Sequence, residues 1–415
     1  MKKRYLIAFL LVTFTGLLFI ACDISKINGK DFEETSDDEE IEDLACTVQG
    51  INALEGYIAK WENCKNESTG EWQHRVMLRE LGGDLLVQVS DEENSGYSPL
   101  IWINGGHLMV MYAENNSDHQ EVILYANLIK LKVFTINGEL VSEEILLEDD
   151  PVTFGTFQMP FGKIEREPNS TLIYWADNKV EGISRAAHIV EIKNGEVSGR
   201  QYMKGVRDVS TPHAIMDRGQ YLFTFMSGLN QEEMDAEQIE SDTNSIFLVE
   251  TDELFQPLES ETIINIGGDS DWGVRPSVAL LGSSYAVVFL SNNEPAPNLN
   301  RLNIRVYDSE AGEVIHSETA EQYTYINYQA VTDATGNLAV FYTESDGGLA
   351  SGAYNLRVTT MNKDSFHTED HFVMSLTNPN FYAERVDGND IRLYHGGTSS
   401  GSVTATQINL GSVGQ

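Results

Sequence analysis

Carboxylates dominate the side chains that could do chemistry in this sequence. They recur in short clusters with amides and hydroxyls: Glu114-Asn115-Asn116-Ser117-Asp118, Asp177-Asn178, Asp269-Ser270-Asp271-Trp272, Asn292-Asn293-Glu294 and Glu344-Ser345-Asp346. Calcium takes about six to eight oxygen ligands from carboxylates, amide oxygens and backbone carbonyls. Such clusters could supply them, with Asp269 and Asp271 as the candidate metal ligands. None completes the Asp-x-Asn/Asp-x-Asn/Asp-Gly order of a calcium loop, so turn chemistry and solvation are the plainer account. Trp272 follows Asp271, and Trp175 stands two places before Asp177. An aromatic face beside an acid suits a sugar, and two carboxylates about 5–10 Å apart could hydrolyse a glycoside. Among so many acids, some pair meets that spacing by chance. Arg207-Asp208, His213 and Arg275 complete the candidate set. His213 follows Pro212 and either looks into a channel or serves as a hydrogen-bonded structural group. His367 and His371 stand four apart, but at an expected strand turn, where that spacing does not bring them together as it would on a helix. No Gly-x-x-x-x-Gly-Lys-Ser/Thr phosphate loop occurs.

The elements that must position these residues are strands. After residue 65, short runs rich in β-formers alternate with turn residues. The run Pro276-Ser277-Val278-Ala279-Leu280-Leu281-Gly282-Ser283-Ser284-Tyr285-Ala286-Val287-Val288-Phe289 is a strand, a Gly turn and a second strand. Similar runs start at Pro99, Pro160, Pro212, Tyr328 and Pro379, with successive spacings of 61, 52, 64, 52 and 51 residues. The second half of each unit holds another hairpin. Asn137-Gly138 and Asn194-Gly195 stand between apolar runs there, the strongest short hairpin signal. Six units of about 50 residues, each with room for four strands, suggest an all-β fold, a six-bladed β-propeller, with a β-sandwich array or a β-solenoid as the alternative. Residues 72–91 are expected to complete the last blade, and one strand left over leaves room for a seventh blade.

In such a blade the first-to-second and third-to-fourth turns share one face. The second-to-third loops and the connections between blades share the other. The first set is tight, as at Asn104-Gly105-Gly106 and Asp387-Gly388-Asn389. The second set is long and acidic, up to the run 228–244 with Glu232, Glu233, Asp235, Glu237, Glu240 and Asp242. Binding concentrates on long loops held by a rigid scaffold. The expected binding face is therefore this acidic one, comprising Glu114, Asp118, Asp177, Arg207, Asp208, His213, Asp269, Asp271, Trp272, Arg275, Glu344 and Asp346.

The N-terminus adds an address. Lys2, Lys3 and Arg4 precede an apolar run from Leu6 to Ile20, then Ala21 and Cys22. This is the layout of a secretory signal, too short to span a bilayer readily. The ending Leu18-Phe19-Ile20-Ala21-Cys22 resembles the lipobox of bacterial lipoproteins, departing from it at Phe19, where that family prefers Leu. The resemblance implies cleavage after Ala21 and a lipid on Cys22. Asp23 is similar to the inner-membrane retention signal of some Gram-negative bacteria. The acidic stretch 22–45 is too poor in apolar groups to fold and reads as a disordered tether. Cys46 and Cys64 are expected to pair in an oxidising compartment. Ile51, Leu54, Ile58 and Trp61 between them follow a weak helical period, which predicts a short helical cap over 46–71. The strand pattern at 276–289 resembles repeats of propeller-like surface lipoproteins, over about residues 72–410, and implies a fold rather than an activity.

The formal net charge is −37, and removal of Lys2, Lys3 and Arg4 with the signal takes it to −40. Phosphate binding needs clustered cations, so nucleic acid is excluded as a partner. A membrane reached through the lipid, and a cation, a glycan or a basic protein, remain as partners. The sequence thus describes an exported, lipid-anchored binding module at the periplasmic or cell-surface side. The alternative is a carbohydrate-active enzyme, hydrolase or lyase, with its carboxylates at the channel mouth. Calcium is the one cofactor these acids suggest.

Overall fold

A computed structural model describes residues 44–412, apart from 67, 84, 93, 116–127, 149–156, 178–184, 238–243, 268–270, 294–299, 321–324, 346–352 and 397–401. Seven antiparallel sheets follow one another along the chain, spanning 44–88, 95–148, 157–202, 210–265, 271–319, 325–376 and 381–409. Within each, strands pair in sequence order. The first six sheets have four strands and the seventh has three. The first strands are Leu44–Leu54, Ser95–Asn104, Phe157–Glu167, Ser210–Asp217, Asp271–Leu281, Tyr325–Thr332 and Phe381–Asp387. Each touches the first strand of the next sheet, and the seventh touches the first. The ring closes, and the fold is a seven-bladed β-propeller.

Seven apolar cores lie among the described residues, each shared by two adjacent blades. Middle strands are covered on both sides, so they read as continuous apolar runs; in His107–Asn115 everything after His107 is buried. Outer strands have one wet face. Glu313–Thr319 accordingly alternates exposed and half-buried residues.

The proline repeat has a structural cause. Ser98, Thr211 and Arg275, each just before a proline, have φ of 47°, 45° and 51°, and the pairing register slips at each. The repeat therefore marks a bulge on the innermost strand, which increases its local twist. Tight hairpins use two successive positive φ values, as at Glu55-Gly56, Asn194-Gly195 and Arg218-Gly219.

Two expectations need correction. Residues 46–71 form no helix. They contain most of the first blade's opening hairpin, Leu44–Leu54 against Tyr57–Asn66. The helical spacing misled because Ile58 and Trp61 lie on opposite faces of one strand: Ile58 packs on the seventh blade, Trp61 against the second. Second, residues 72–91 do not complete the last blade. With that hairpin they build a blade of their own, and the six repeat units become the second to seventh blades. Cys46 and Cys64 do pair, as direct cross-strand neighbours with sulfurs 2.14 Å apart, stapling this hairpin.

Polar side chains tie each blade to the next. Asn52 Oδ1 accepts the Ile101 amide at 2.9 Å, while Lys163 Nζ donates to the Ile101 carbonyl at 3.1 Å. The Tyr174 hydroxyl accepts the Ala214 amide at 2.7 Å. His213 Nδ1 accepts from the Val278 amide at 3.2 Å, and the Tyr328 hydroxyl donates to the Val288 carbonyl at 2.9 Å. Asn378 Nδ2 closes the ring on the Val48 carbonyl at 2.7 Å. Gln329 bonds both the amide and the carbonyl of Ala383, at 2.7 and 2.8 Å. Gln329→Leu would leave both backbone groups without these partners, and we expect a loss of about 2–4 kcal/mol in urea denaturation. A loss below about 0.5 kcal/mol would show that water replaces the amide at no cost.

Candidate functional site

Antiparallel order puts every second-to-third loop and every interblade connection at one end of the ring. The candidate residues that lie within the described part are mostly at that end, but in different blades. Asp177 ends a strand of the third blade, and Asp271 and Trp272 begin the fifth. Glu344 nearly ends a strand of the sixth, with Arg357 Nε 3.7 Å from its carboxylate. Asp118, Asp269 and Asp346 lie outside the described residues, as does Cys22. Arg275 is exposed at the bulge before Pro276, and its carbonyl accepts a hydrogen bond from the Tyr328 hydroxyl.

Two candidates are internal. Glu114 does not belong to a binding surface: it is fully buried. It accepts Lys130 Nζ at 2.7 Å, the Asp91 amide at 3.1 Å and Asn94 Nδ2 at 2.9 Å. Burial pulls the Lys130 amine down, but its bonds to Asp91 and Glu114 more than reverse this and hold it above its usual range. The network pins the connection between the first two blades. His213 is the structural histidine among the two alternatives, bonded to Val278, with Ser277 Oγ 3.5 Å from its other nitrogen.

Among the described residues, the candidates Arg207 and Asp208, neighbours in sequence, line a cleft of about 450 Å³ on the loop-bearing face of the fourth blade. Ser227, Gly228, Leu229, Asn230 and Glu261 complete its lining. The helix α1, Gln231–Glu237, stands beside it. Its start is a reciprocal cap: the Glu233 amide donates to Asn230 Oδ1 at 3.0 Å, and the Asn230 amide donates to Glu233 Oε2 at 2.8 Å. Arg207 grips both oxygens of Glu233 at 2.9 and 3.0 Å and also donates to the Gly228 carbonyl at 3.1 Å. Its guanidinium lies 3.9 Å from the centre of the Phe247 ring, a cation–π contact. The Arg207 amide donates to Glu261 Oε1 at 2.9 Å. The hydrogen bond from Arg207 holds the Glu233 carboxyl below the usual carboxylate range.

The cleft thus has preset walls. Arg207 serves as their fastener, with exposed Asp208 at the rim and buried Leu229 in the wall. Carboxylate, hydroxyl and amide groups around a small apolar patch suit a ligand rich in hydroxyls or carrying an amine. Sequence reasoning missed Ser227 and Glu261, and it placed Asn230 and Glu233 in the acidic loop 228–244 without singling them out as site residues. The pair Asn230 and Glu233, three apart, was a readable capping signal; Glu261 reaches the cleft from the other side of the blade and left no local signal.

The zinc spacing does not survive. His367 precedes an outer strand and His371 lies within Thr368–Leu376, each within 3.8 Å of the Glu369 carboxylate. Among the described residues, one group has metal-ligand spacing, Cys46, Glu62 and Cys64, and its sulfurs are bonded to each other. Gly397-Thr398-Ser399-Ser400-Gly401 has the Gly-x-Ser-x-Gly spacing of a nucleophile elbow. It joins two strands, Asp390–Gly396 and Val403–Asn409, whereas the elbow needs a strand followed by a helix.

No protein-family model and no curated relative matches the chain. Solved structures with similarity include the Kuenenia stuttgartiensis hydrazine synthase, at 10% identity and TM-score 0.42, covering 71% of this chain and 72% of that one. The Penicillium chrysogenum α-L-arabinanase complexed with arabinobiose is 12% identical with TM-score 0.42, covering 77% and 94%. An α-L-arabinofuranosidase variant from Fusarium graminearum, in complex with an iminosugar inhibitor, is 12% identical with TM-score 0.44, covering 80% and 98%.

Burial lowers the His213 imidazole from 6.5 to about 4. Between those values the unfolded chain binds a proton that the folded chain refuses, so stability falls as pH falls. The slope reaches at most about 1.4 kcal/mol per pH unit. We expect His213→Gln to flatten the pH dependence of urea denaturation between pH 4.5 and 7; an unchanged slope would place the proton uptake elsewhere.

Proposed function

We propose that this chain is an exported, lipid-anchored β-propeller of a bacterial envelope that acts as a binding module. It takes a polar ligand or a protein partner on the loop-bearing face, at the cleft beside Arg207. The observation that carries this reading is the cleft itself, whose walls are braced in advance by Arg207, Glu233 and the capped helix α1. Preset walls reduce the ordering cost of binding. Its lining suits a glycan or an amine-bearing partner better than an anion, since the one guanidinium is already held by Glu233.

The anchor reading rests on the Leu18–Cys22 run, and the disulfide supports an oxidising destination. Among the described residues no helix is long and apolar enough to cross a membrane. Radiolabelled palmitate should enter the full-length chain in its bacterial host and be absent from Cys22→Ala; equal labelling of both would remove the anchor.

The alternative, a carbohydrate-active enzyme, needs a carboxyl group held protonated near neutrality. Arg207 holds the Glu233 carboxyl below the usual carboxylate range, which suits it only to the ionised partner of a catalytic carboxyl pair.

A ligand that binds only the folded state raises Tm. Melting the full chain against a panel of mono- and oligosaccharides, and with calcium or a chelator, should give a shift for at least one. Asp208→Arg lays a long side chain across the cleft mouth without touching a core. We expect it to abolish that shift and to move the unliganded Tm by no more than about 1 °C. A shift that persists in Asp208→Arg would move the site elsewhere. Release of reducing sugar in the same incubations would replace binding with catalysis.

A further inference from the structure

The cleft of the fourth blade is lined by a buried hydroxyl and a carboxylate oxygen that the rest of the protein does not use. Ser227 closes the strand Gln220–Ser227. By strand alternation its side chain lies on the face that carries Phe223 and Phe225. Phe225 pairs across to Phe247, on which the Arg207 guanidinium rests. The Ser227 side chain therefore stands on the Arg207 side of the blade, where the cleft lies. Ser227 is 6% exposed, and among the described residues nothing bonds its hydroxyl. Leaving a buried hydroxyl unpaired is costly, so this one points to a ligand.

Glu261 comes two places before Ile263, which packs into the same core as Phe225 and Phe247. Its Oε1 accepts the Arg207 amide at 2.9 Å. Its Oε2 lies 3.9 Å from a guanidinium nitrogen of Arg207, beyond hydrogen-bond reach. That guanidinium is engaged instead by both oxygens of Glu233 and by the Gly228 carbonyl. One cation thus stands between two carboxylates. Glu261, with 16% of its side chain exposed, is the one left without a close partner for its charge. A charge so far withdrawn from water needs a counter-charge.

The two groups discriminate among cations. Calcium takes about six to eight oxygens, and Glu261 Oε2 and Ser227 Oγ supply one each. A primary ammonium has three donors and no acceptor. It can give one proton to Glu261 Oε2 and one to Ser227 Oγ, and keep the third for water or for a hydroxyl of its own molecule. Leu229 offers an apolar wall to the attached carbon frame, and about 450 Å³ admits a monosaccharide or the end of a lysine side chain.

Resting on the reading of this cleft as the binding site, we propose that it selects a primary ammonium group, held by the Glu261 carboxylate and the Ser227 hydroxyl. Arg207 is a positioning residue here: its amide fixes Glu261 Oε1 and leaves Oε2 for the ligand.

The test is calorimetric titration of the full chain in detergent. The probes are glucosamine, with glucose and N-acetylglucosamine as its neutral counterparts, and Nα-acetyl-lysine amide, with its Nε-acetylated form. We expect at least one of the two amines to bind about tenfold or more tighter than its neutral counterparts. Whichever amine binds more tightly identifies the source, an amino sugar or a peptide lysine. Glu261→Gln keeps an oxygen for the Arg207 amide and loses the charge, and we expect it to cut the preference to within about twofold. Ser227→Ala removes a hydroxyl that has no protein partner to lose. Its Tm should stay within about 1 °C, while amine affinity falls about threefold or more. No binding of either amine, equal binding of amines and neutral counterparts, or a preference that survives Glu261→Gln would each overturn the proposal. Should neutral sugars still bind and Asp208→Arg still abolish them, the cleft stands as the site and only its ammonium selectivity falls. Binding of every probe unchanged by Asp208→Arg would remove the cleft itself.

Discussion

A strand at the centre of a propeller has no ladder partner on its channel side, and its backbone groups there must still be satisfied. In this protein neighbouring blades answer that need with side chains. Asn52, Lys163, His213 and Gln329 each reach a backbone group of the next or previous innermost strand, and Asn378 does so where the last blade meets the first. These bonds fix the distance between blades that apolar packing alone would leave free to slide.

On the loop-bearing face the described part of the fourth blade's second-to-third loop folds a helical turn, caps it with Asn230 and ties it to the interblade connection through Arg207. A bidentate ion pair and a cation–π contact hold this turn in place. The opposite face carries tight two-residue turns at Glu55-Gly56 and Arg218-Gly219, with no room for such a cleft. The division of labour between the faces is therefore set by connection length, before any side-chain chemistry enters.

Much of this was legible in the sequence. Prolines recur because the innermost strand bulges after Ser98, Thr211 and Arg275, so alignment on them found the blades. The disulfide was legible from count and context. The first blade was not: Glu55-Gly56 is a weaker hairpin signal than Asn-Gly, and apolar residues facing two different neighbours mimicked a helical period. Acid clusters told which end of the ring the loops occupy, but not which loops gather. Glu114 looked like a surface acid because its partners Lys130 and Asp91 belong to another strand and another connection. The cleft draws on Glu261, distant in sequence from Arg207, and pairings of that kind exist only after folding.

The same reasoning bears on charge. The chain has 27 Lys and Arg against 64 Asp and Glu. Several of those cations are held inside: Lys60 and Arg75 on Glu62, and Lys130 and Lys132 on Asp91. Arg207 is held by Glu233, and Arg357 Nε bonds Asp370 at 2.9 Å. Lys60, Arg75, Lys130 and Lys132 are almost wholly withdrawn from solvent in these contacts, so the scarcer kind of charge is spent inside the molecule. The consequence is kinetic as well as thermodynamic. A cationic or neutral partner meets a favourable or flat field, while a polyanion is repelled before it can reach the cleft. Lys130 and Arg207 are placed where they hold a connection and a loop in position, which leaves Asp208, Ser227, Asn230 and Glu261 as the other polar groups of the cleft.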